Sequence, residues 1–226
     1  MRSDQELNTS RKIFPSGNVW GIPDLLPDQL AGVLPGPENP FLVYRTARLT
    51  RAKAHGGILG FFVDDYRFVC AWSYPSRMVA ALAGLGLAAV CEPDFSLWAD
   101  DPRAEQLHAV YRSRWVARYW QECGLHVIPS LNWSDEASFA WAWAGLPVGV
   151  EVAAVECRSC GSARREFNAG LAAACEVVRP RNLIIYGPVN DWVSMPSGVA
   201  PVWVEPPTNR RFRALHQGQN NGRSRR

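Results

Sequence analysis

The sequence contains no apolar run that approaches the ~20 residues needed for a membrane-spanning helix. Its N-terminal segment, MRSDQELNTSRKIF, is polar with charges of both signs and lacks the apolar stretch of a signal peptide. These two absences predict a cytoplasmic location and no membrane partner. The six cysteines lie mostly in apolar segments, so we expect free thiols rather than a disulfide framework.

Several motifs of cofactor binding and catalysis are also missing. There is no phosphate-binding loop of the G-x-x-x-x-G-K type, and no G-x-G-x-x-G motif follows a predicted strand. The four histidines have no metal-ligand spacing. Cys157 and Cys160 form a C-x-x-C pair, but no second pair stands at the spacing of a zinc site. We therefore expect two unpaired thiols there rather than a zinc or redox centre.

Lysine is scarce, so arginine supplies nearly all of the positive charge. The net charge is +3, and residues 206–226 carry six arginines and no acid, which leaves −3 for the rest of the chain. The bulk of the chain is therefore not expected to be a basic nucleic-acid-binding domain. Three arginine-rich segments are candidate nucleic-acid contacts, although a solvated helix face is the simpler explanation for the first two. They are Arg45, Arg48, Arg51 and Lys53; Arg112, Arg114 and Arg118; and the C-terminal tail.

What the sequence does contain is enough apolar material for a sizeable core. Apolar residues make up 47% of the 226 residues, charged residues 20%, and there are ten tryptophans. Residues 1–40 are rich in proline and glycine and predict an extended N-terminal arm that either wraps the domain or is partly disordered. Residues 201–226 are rich in proline, arginine, glutamine and asparagine and predict a disordered tail. The α/β domain is expected to cover residues 41–200.

Short apolar runs alternate with helical stretches along this central region. The alternation predicts right-handed crossovers and a single α/β domain with a mainly parallel sheet of about five β-α units. An open sheet or a partial barrel fits that number of units. The predicted strands are 58–63, 87–91, 125–131, 150–155 and 182–186, and the predicted helices are 75–84, 102–123, a segment from Ser134 through Trp143, and 163–178.

Polar side chains follow consecutive predicted strands at the points where the strands end. Ligands bind outside the carboxyl ends of the strands in parallel α/β folds, so these side chains are expected to share one edge of the sheet. Three of the first four strand ends carry carboxylates. In chain order the strand ends are Asp64 and Asp65, Glu92 and Asp94, Asn132 and Trp133, Glu156, and Tyr186.

Convergent carboxylates repel one another, so a cleft retains them only with a metal, a cation or shared protons. We expect Asp64, Glu92 and Asp94 to hold a divalent metal, Mg²⁺ or Mn²⁺, or to act as a base. The alternative is that these acids cap the following helices or pair with nearby arginines. Asp65 is a fourth candidate catalytic acid, and the candidate substrate-binding residues are Asn132 for orientation, Trp133 and Tyr186 for stacking, and Arg67 for neutralising charge.

Four segments carry a resemblance to a known family. They are 62–68 (FVDDYRF), 93–96 (PDFS), 111–115 (YRSRW) and 127–134 (VIPSLNWS). From Trp20 to Gly187 the chain resembles a bacterial family, associated with phages and plasmids, that is catalogued only as a domain of unknown function. The resemblance implies a mobile-element context and an intracellular location, and it implies no activity or catalytic residue.

The leading hypothesis is a mobile-element-associated enzyme. Its carboxylate-lined site, served by a divalent metal, would act on a phosphate-containing or nucleic-acid-derived substrate. A second hypothesis is a noncatalytic accessory protein that binds a host or mobile-element protein, or nucleic acid, through the arginine-rich segments. A third is a glycoside hydrolase with a carboxylate pair, against which the predicted cytoplasmic location weighs.

Overall fold

The structure is a computed structural model that describes residues 11–27, 30–44 and 49–206. Within these residues the chain alternates strands and helices as the sequence predicts. The strands are β1 (Phe41–Val43), β2 (Ile58–Gly60), β3 (Ala89–Cys91), β4 (Val127–Ile128), β5 (Val152–Glu156), β6 (Asn182–Tyr186) and β7 (Ala200–Val204). The helices are α1 (Arg51–Ala54), α2 (Cys70–Ser73), α3 (Pro75–Ala83), α4 (Arg103–Glu122) and α5 (Arg164–Val178), with 3₁₀ turns at Asp65–Arg67, Glu136–Ala140 and Cys160–Ser162.

All of these strands pair in parallel, and their order across the sheet is their order along the chain. Strands β1 to β4 form one ladder and β5 to β7 another, and a parallel bridge between Ser130 and Ala154 joins the two. In the described part of the chain no ladder links β7 to β1, so the barrel is not closed. The predicted α/β fold with a parallel sheet is confirmed, with seven strands in place of about five.

The sheet curls until its distant strands touch across the concave face. The ring of Tyr186, from β6, stacks on Phe41 of β1 at 5.9 Å and on Phe62, just after β2, at 5.4 Å between ring centroids. Ile58, Val152 and other inward side chains fill the space beneath them. The sheet is therefore a partial barrel with a packed interior.

Helices cover the convex face, because successive side chains of a strand point to opposite sides. Phe61 points outward and meets Trp120 of α4, with the ring centroids 5.3 Å apart, whereas Phe62 points inward. Leu171 of α5 belongs to a second outer cluster with Val155 of β5 and other buried side chains. The strands are thus buried on both faces of the sheet, which explains why they are nearly continuous apolar runs in the sequence.

Two predicted helices match closely and one does not. α3 begins at Pro75, as predicted for a proline in a first helical turn, and α5 covers the predicted segment from 164. The segment from Ser134 through Trp143 was predicted as a helix, and that prediction is wrong. Only a 3₁₀ turn forms there, capped by the Asp135 side chain, and Trp141 and Trp143 are buried in the core beyond it.

The long helix α4 begins at Arg103, one residue later than the predicted segment 102–123, and Pro102 is in the capping position. Leu107 and Tyr111 remain half-exposed on this helix. The most buried positions include Arg114 and Arg118, which are polar. A helix face that buries arginines carries no apolar signal in the sequence.

The described part of the N-terminal arm has no helix or strand and packs along α4. The backbone oxygen of Lys12 accepts a hydrogen bond from the Trp115 indole at 2.8 Å, and Phe14 packs against the same ring. The Gln121 side chain exchanges two hydrogen bonds of 2.8 Å with the backbone of Leu26.

Strands β1 and β7 were not predicted. β7 lies where the tail was expected to begin, and its Pro201 is tolerated because β7 is an edge strand. Val204 is buried against the concave face, so the ordered chain continues past residue 201. Residues 207–226, with the tail arginines, lie outside the described residues.

Candidate functional site

A cleft of about 230 Å³ opens at the carboxyl ends of β3, β4 and β5. This is the edge of the sheet at which parallel α/β proteins bind ligands. Its walls come from the loop after β3, the segment after β4, the loop after β5 and the first turn of α5. The polar and aromatic lining includes Asp94, Trp98, Asn132, Trp133, Glu156 and Glu166.

Asp94 is the most unusual group in this cleft. It follows β3 by three residues, and its Oδ1 atom is buried with no hydrogen-bond partner among the described residues. Burial raises its pKa well above the ordinary range, and the charges of Glu156, Asp65 and Glu92 raise it further against the opposing effect of Arg114. Asp94 therefore holds its proton at a pH where an ordinary aspartate has lost it.

Glu156 lies beside Asp94 and makes contacts of a different kind. It is the last residue of β5, and its Oε2 accepts a hydrogen bond of 2.8 Å from the Ser159 hydroxyl. The Nε atom of Arg158 stands 3.4 Å from its Oε1. The Oε1 atom itself is buried and accepts no hydrogen bond from the described residues. The cleft thus places a second carboxyl group next to Asp94.

Glu92 plays a structural part instead. It is fully buried and forms an ion pair with Arg114, whose guanidinium also donates to the backbone oxygens of Ala142 and Ala144. The other oxygen of Glu92 accepts from the backbone amide of Ser130 at 3.1 Å. Burial raises the pKa of Glu92 while Arg114 opposes that shift. The ion pair links β3 to α4, and the hydrogen bond from Ser130 adds the segment after β4. Both carboxylate oxygens of Glu92 are therefore engaged by other residues of the protein.

The residues after β2 are at the same edge but do not line the cleft. Asp64 is exposed and pairs with Arg67 at 3.2 Å. Asp65 accepts hydrogen bonds from the backbone amide and the hydroxyl of Ser96, the latter at 2.9 Å. Asp65 therefore holds the loop that carries Asp94, and Asp64 neutralises Arg67 at the surface.

Of the remaining predicted residues, two line the cleft and one does not. Asn132 donates to the backbone oxygen of Phe95 at 3.0 Å. Trp133 packs on Phe167 and Trp143 and presents its remaining surface to the cleft. Tyr186 is 2% exposed and lies in the barrel interior, where its ring packs on Phe41 and Phe62.

The predicted metal set is not assembled. Among residues 11–27, 30–44 and 49–206, no three histidine, cysteine, aspartate or glutamate side chains are placed to hold one ion. Asp64 and Glu92 are each paired with an arginine, and Asp94 alone of that set faces the cleft. The carboxylates that share the cleft are Asp94, Glu156 and Glu166.

Glu156 directly follows a predicted strand, as the other strand-end residues do. The candidate site predicted from the sequence nevertheless does not include it. Trp98 and Glu166 carried no such signal, because one lies in a long loop and the other in a helix. Only the curvature of the sheet and the crossing of α5 bring them to the same opening.

Of the two C-x-x-C thiols, Cys160 lines the cleft and Cys157 is buried in the core. Burial, and then the charge of Glu156, raises the pKa of Cys157 to about 12 and that of Cys160 to about 11. Thiols with such pKa values stay protonated near neutral pH and are poor nucleophiles.

Arg114 and Arg118 of α4 are buried, which corrects the prediction that they lie on a solvated helix face or contact nucleic acid. Arg114 is 3% exposed and is held by Glu92. Arg118 is 8% exposed and donates to the backbone oxygen of Asp24 and to Glu122. Arg112 lies over the Phe95 ring at 4.3 Å. Arg45 and Arg48 lie outside the described residues.

The sequence matches, over residues 14–199, the family described as "Domain of unknown function (DUF4417)". The chain belongs to this family. It is 38% identical over 179 residues to the Gene 1 protein of Mycobacterium phage D29, which covers 78% of this chain and 64% of the phage protein. It is 37% identical over 180 residues to the Gene 1 protein of Mycobacterium phage L5, which covers 78% of this chain and 75% of that protein.

The predicted resemblance to a phage-associated family of unknown function is thereby confirmed for this DUF4417 domain. The chain spans less than two thirds of the length of the D29 protein. No solved structure matches the chain. In the described part of the chain, no helix combines the length and the apolar character required to cross a membrane.

Proposed function

We propose that the cleft is the active site of an acid–base hydrolase that cleaves the glycosidic bond of a nucleic-acid-derived substrate. The observation that supports it most is Asp94, whose buried Oδ1 has no partner and whose pKa is raised by burial and by Glu156. Such a group is a proton donor at a pH where most carboxyl groups have lost their protons. Active sites commonly raise the pKa of a general acid in this way, by burial and by a neighbouring carboxyl group.

The two carboxyl groups divide the chemistry between them. Asp94 gives its proton to the leaving nitrogen or oxygen as the bond to the anomeric carbon breaks. Glu156 accepts a proton from water, whose oxygen forms the new bond to that carbon. The proton lost by water later returns to Asp94 through solvent, so the site regains its starting state.

The lining of the cleft favours an uncharged reacting group. Among the described residues that line it are the acidic Asp94, Glu156 and Glu166 and no arginine, lysine or histidine, so a phosphate placed inside would find no cation there. A sugar with its base brings no charge there. Asn132 and Ser134 line the cleft as hydrogen-bonding groups, and Trp98, 63% exposed, offers a ring face for stacking. The same features would suit a neutral glycan.

The test is release of free base from deoxyribonucleosides, ribonucleosides and a single-stranded oligonucleotide, followed by chromatography. Wild-type protein is compared with Asp94→Asn and Glu156→Gln. General acid–base catalysis contributes about 10²–10⁴-fold, so each variant should lose at least a hundredfold in rate. Activity of the wild type should fall as pH rises through the raised pKa of Asp94, because the donor must carry its proton.

Glu151→Gln is the matched control. Glu151 precedes β5 at its opposite end, pairs with Arg181 at 3.6 Å, and should be replaced without loss of rate. The proposal fails if wild-type protein releases no base from any of these substrates, or if release survives both cleft substitutions. Cleavage of the phosphodiester backbone that requires added Mg²⁺ and stops with EDTA would replace it with the metal-dependent hypothesis.

A further inference from the structure

We propose that the rim of this cleft binds single-stranded nucleic acid, so that the substrate is a nucleotide within a strand and not a free nucleoside. This inference rests on the proposed function and names the substrate class for the same site. It starts from the loop between β5 and α5. Residues 158–165 carry three arginines, Arg158, Arg164 and Arg165, and no acidic residue.

This arginine segment lies directly at the opening. Ser159, Cys160 and Ala163 line the cleft, so the arginines that flank them stand at its border. The side chain of Arg158 is 45% exposed, and its Nε atom lies 3.4 Å from Oε1 of Glu156, which lines the cleft. Arg164 and Arg165 are exposed, and neither has a carboxylate partner among the described residues. Positive charge therefore lies along one border of an opening whose interior is lined by acidic residues.

Aromatic rings accompany this charge around the opening. Trp98, 63% exposed, lines the cleft from the loop after β3. Arg164 lies over the Trp192 ring at 5.6 Å. Large exposed aromatics beside arginines are what proteins use to stack bases and follow a phosphate backbone.

The two charge patterns assign different parts of the ligand to different places. Phosphates are attracted to the rim and repelled from the carboxylate-lined interior. A base with its sugar can enter the interior only if it leaves the stack, which costs least in a single strand. Neutral glycans would gain nothing from the three arginines, so the rim favours nucleic acid over the glycan that the cleft alone would accept.

The experiment measures binding of a fluorescently labelled single-stranded oligodeoxynucleotide by anisotropy over a series of salt concentrations. The full chain is used throughout, so that the C-terminal arginines are present in every variant. Arg164→Ala/Arg165→Ala should weaken binding about tenfold at 0.1 M salt and reduce the slope of log affinity against log salt by about 1.4, since each of the two lost single-strand phosphate contacts contributes about 0.7.

Arg77→Ala/Arg181→Ala removes the same charge away from the rim and is the matched control. Arg77 is an exposed residue of α3, and Arg181, 77% exposed, precedes β6 at the opposite end of the sheet. Its affinity and salt slope should equal those of the wild type. Trp98→Ala should weaken binding at every salt concentration and leave the slope unchanged, because stacking releases no counterions.

Equal loss of affinity in the rim and control variants would overturn the inference, as would binding of a labelled neutral oligosaccharide that the oligonucleotide does not displace. Faster base release from free nucleosides than from the oligonucleotide would also overturn it and leave the hydrolase proposal standing. Rim-dependent oligonucleotide binding without any base release would refute the hydrolase and leave the binding surface.

Discussion

At the scale of single residues, three strand-end carboxyl groups lie in three different environments. Glu92 is fully buried and paired with Arg114, Asp64 is exposed and paired with Arg67, and Asp94 is shielded without an arginine partner. Glu92 and Asp64 therefore serve as ion-pair partners of arginines and have structural roles. A carboxyl group that is buried without a cation keeps its proton, which is the property that the proposed reaction needs.

The raised pKa of Asp94 predicts a specific dependence of stability on pH. An unfolded aspartate has a pKa of about 3.9, so the folded protein holds this proton to a higher pH than the unfolded chain does. The stability that this difference contributes is complete below about pH 4 and is lost as pH rises through the folded-state pKa.

The substituted side chain of Asp94→Asn cannot ionise. The difference in unfolding free energy between this variant and the wild type should therefore shift in favour of the variant as pH rises, by up to about 1.4 kcal/mol per pH unit within that interval. Urea denaturation between pH 4 and 8 measures the difference. Asp64→Asn, at an exposed carboxylate, is the control and should keep the pH dependence of the wild type. Parallel curves for the wild type and Asp94→Asn would mean that Asp94 is not held protonated.

At the scale of elements, the wall of the cleft depends on a close approach between α5 and the segment after β4. Trp133 lies against Gly170 of α5, and a Cβ atom on that glycine would overlap the indole ring. Glycine weakens a helix interior by about 1 kcal/mol relative to alanine, so its presence here fits the need for space. The position of the indole is thus set from the helix side.

Gly170→Ala should displace Trp133 and narrow the cleft. Overpacking of this kind costs about 1–3 kcal/mol, which exceeds the gain in helix propensity, so the melting temperature should fall. Base release should fall with it, and the near-ultraviolet circular dichroism of the tryptophans should change. Gly161→Ala, where a Cβ atom meets nothing within 4 Å, is the control for adding a methyl group in the same region. A variant that melts and reacts like the wild type would show that Trp133 does not need this contact.

At the scale of the whole molecule, the N-terminal arm completes the outer layer around α4. Phe14 is 5% exposed, and its ring lies 5.6 Å from that of Trp115. The backbone oxygen of Asp24 accepts a hydrogen bond from Arg118. The backbone amide of Leu25 donates a hydrogen bond to the backbone oxygen of Gly145. The arm therefore joins distant parts of the described chain.

Phe14→Ala should lower the unfolding free energy by about 3–5 kcal/mol, as for other buried phenylalanines, because it leaves a cavity against Trp115. Ile13→Ala, at the neighbouring position with 90% exposure, should change it by less than about 0.5 kcal/mol. Chemical denaturation followed by tryptophan fluorescence measures both. Equal effects of the two substitutions would show that the arm does not contribute to the folded core.

The β-α alternation, the parallel sheet and most helix positions were predictable, because apolar periodicity and helix-end residues are local signals. β1 was missed because it is three residues long and follows a proline-rich stretch, and β7 because Pro201 interrupts its pattern. Asp94, Asn132 and Trp133 were found at the cleft because strand ends converge at one edge. Tyr186 was misplaced, since its ring packs on Phe41 and Phe62 across the barrel interior, and contacts between residues so far apart in the chain leave no local signal.

The sequence by itself determined the class of fold and the edge of the sheet at which chemistry could occur. Both follow from where apolar runs stop and polar residues begin. Only the tertiary structure decided which carboxyl groups are free, because pairing with Arg114 or Arg67 and the burial of Asp94 depend on distances between residues far apart in the chain. The pKa of a group follows from its surroundings, and the curl of the sheet creates those surroundings.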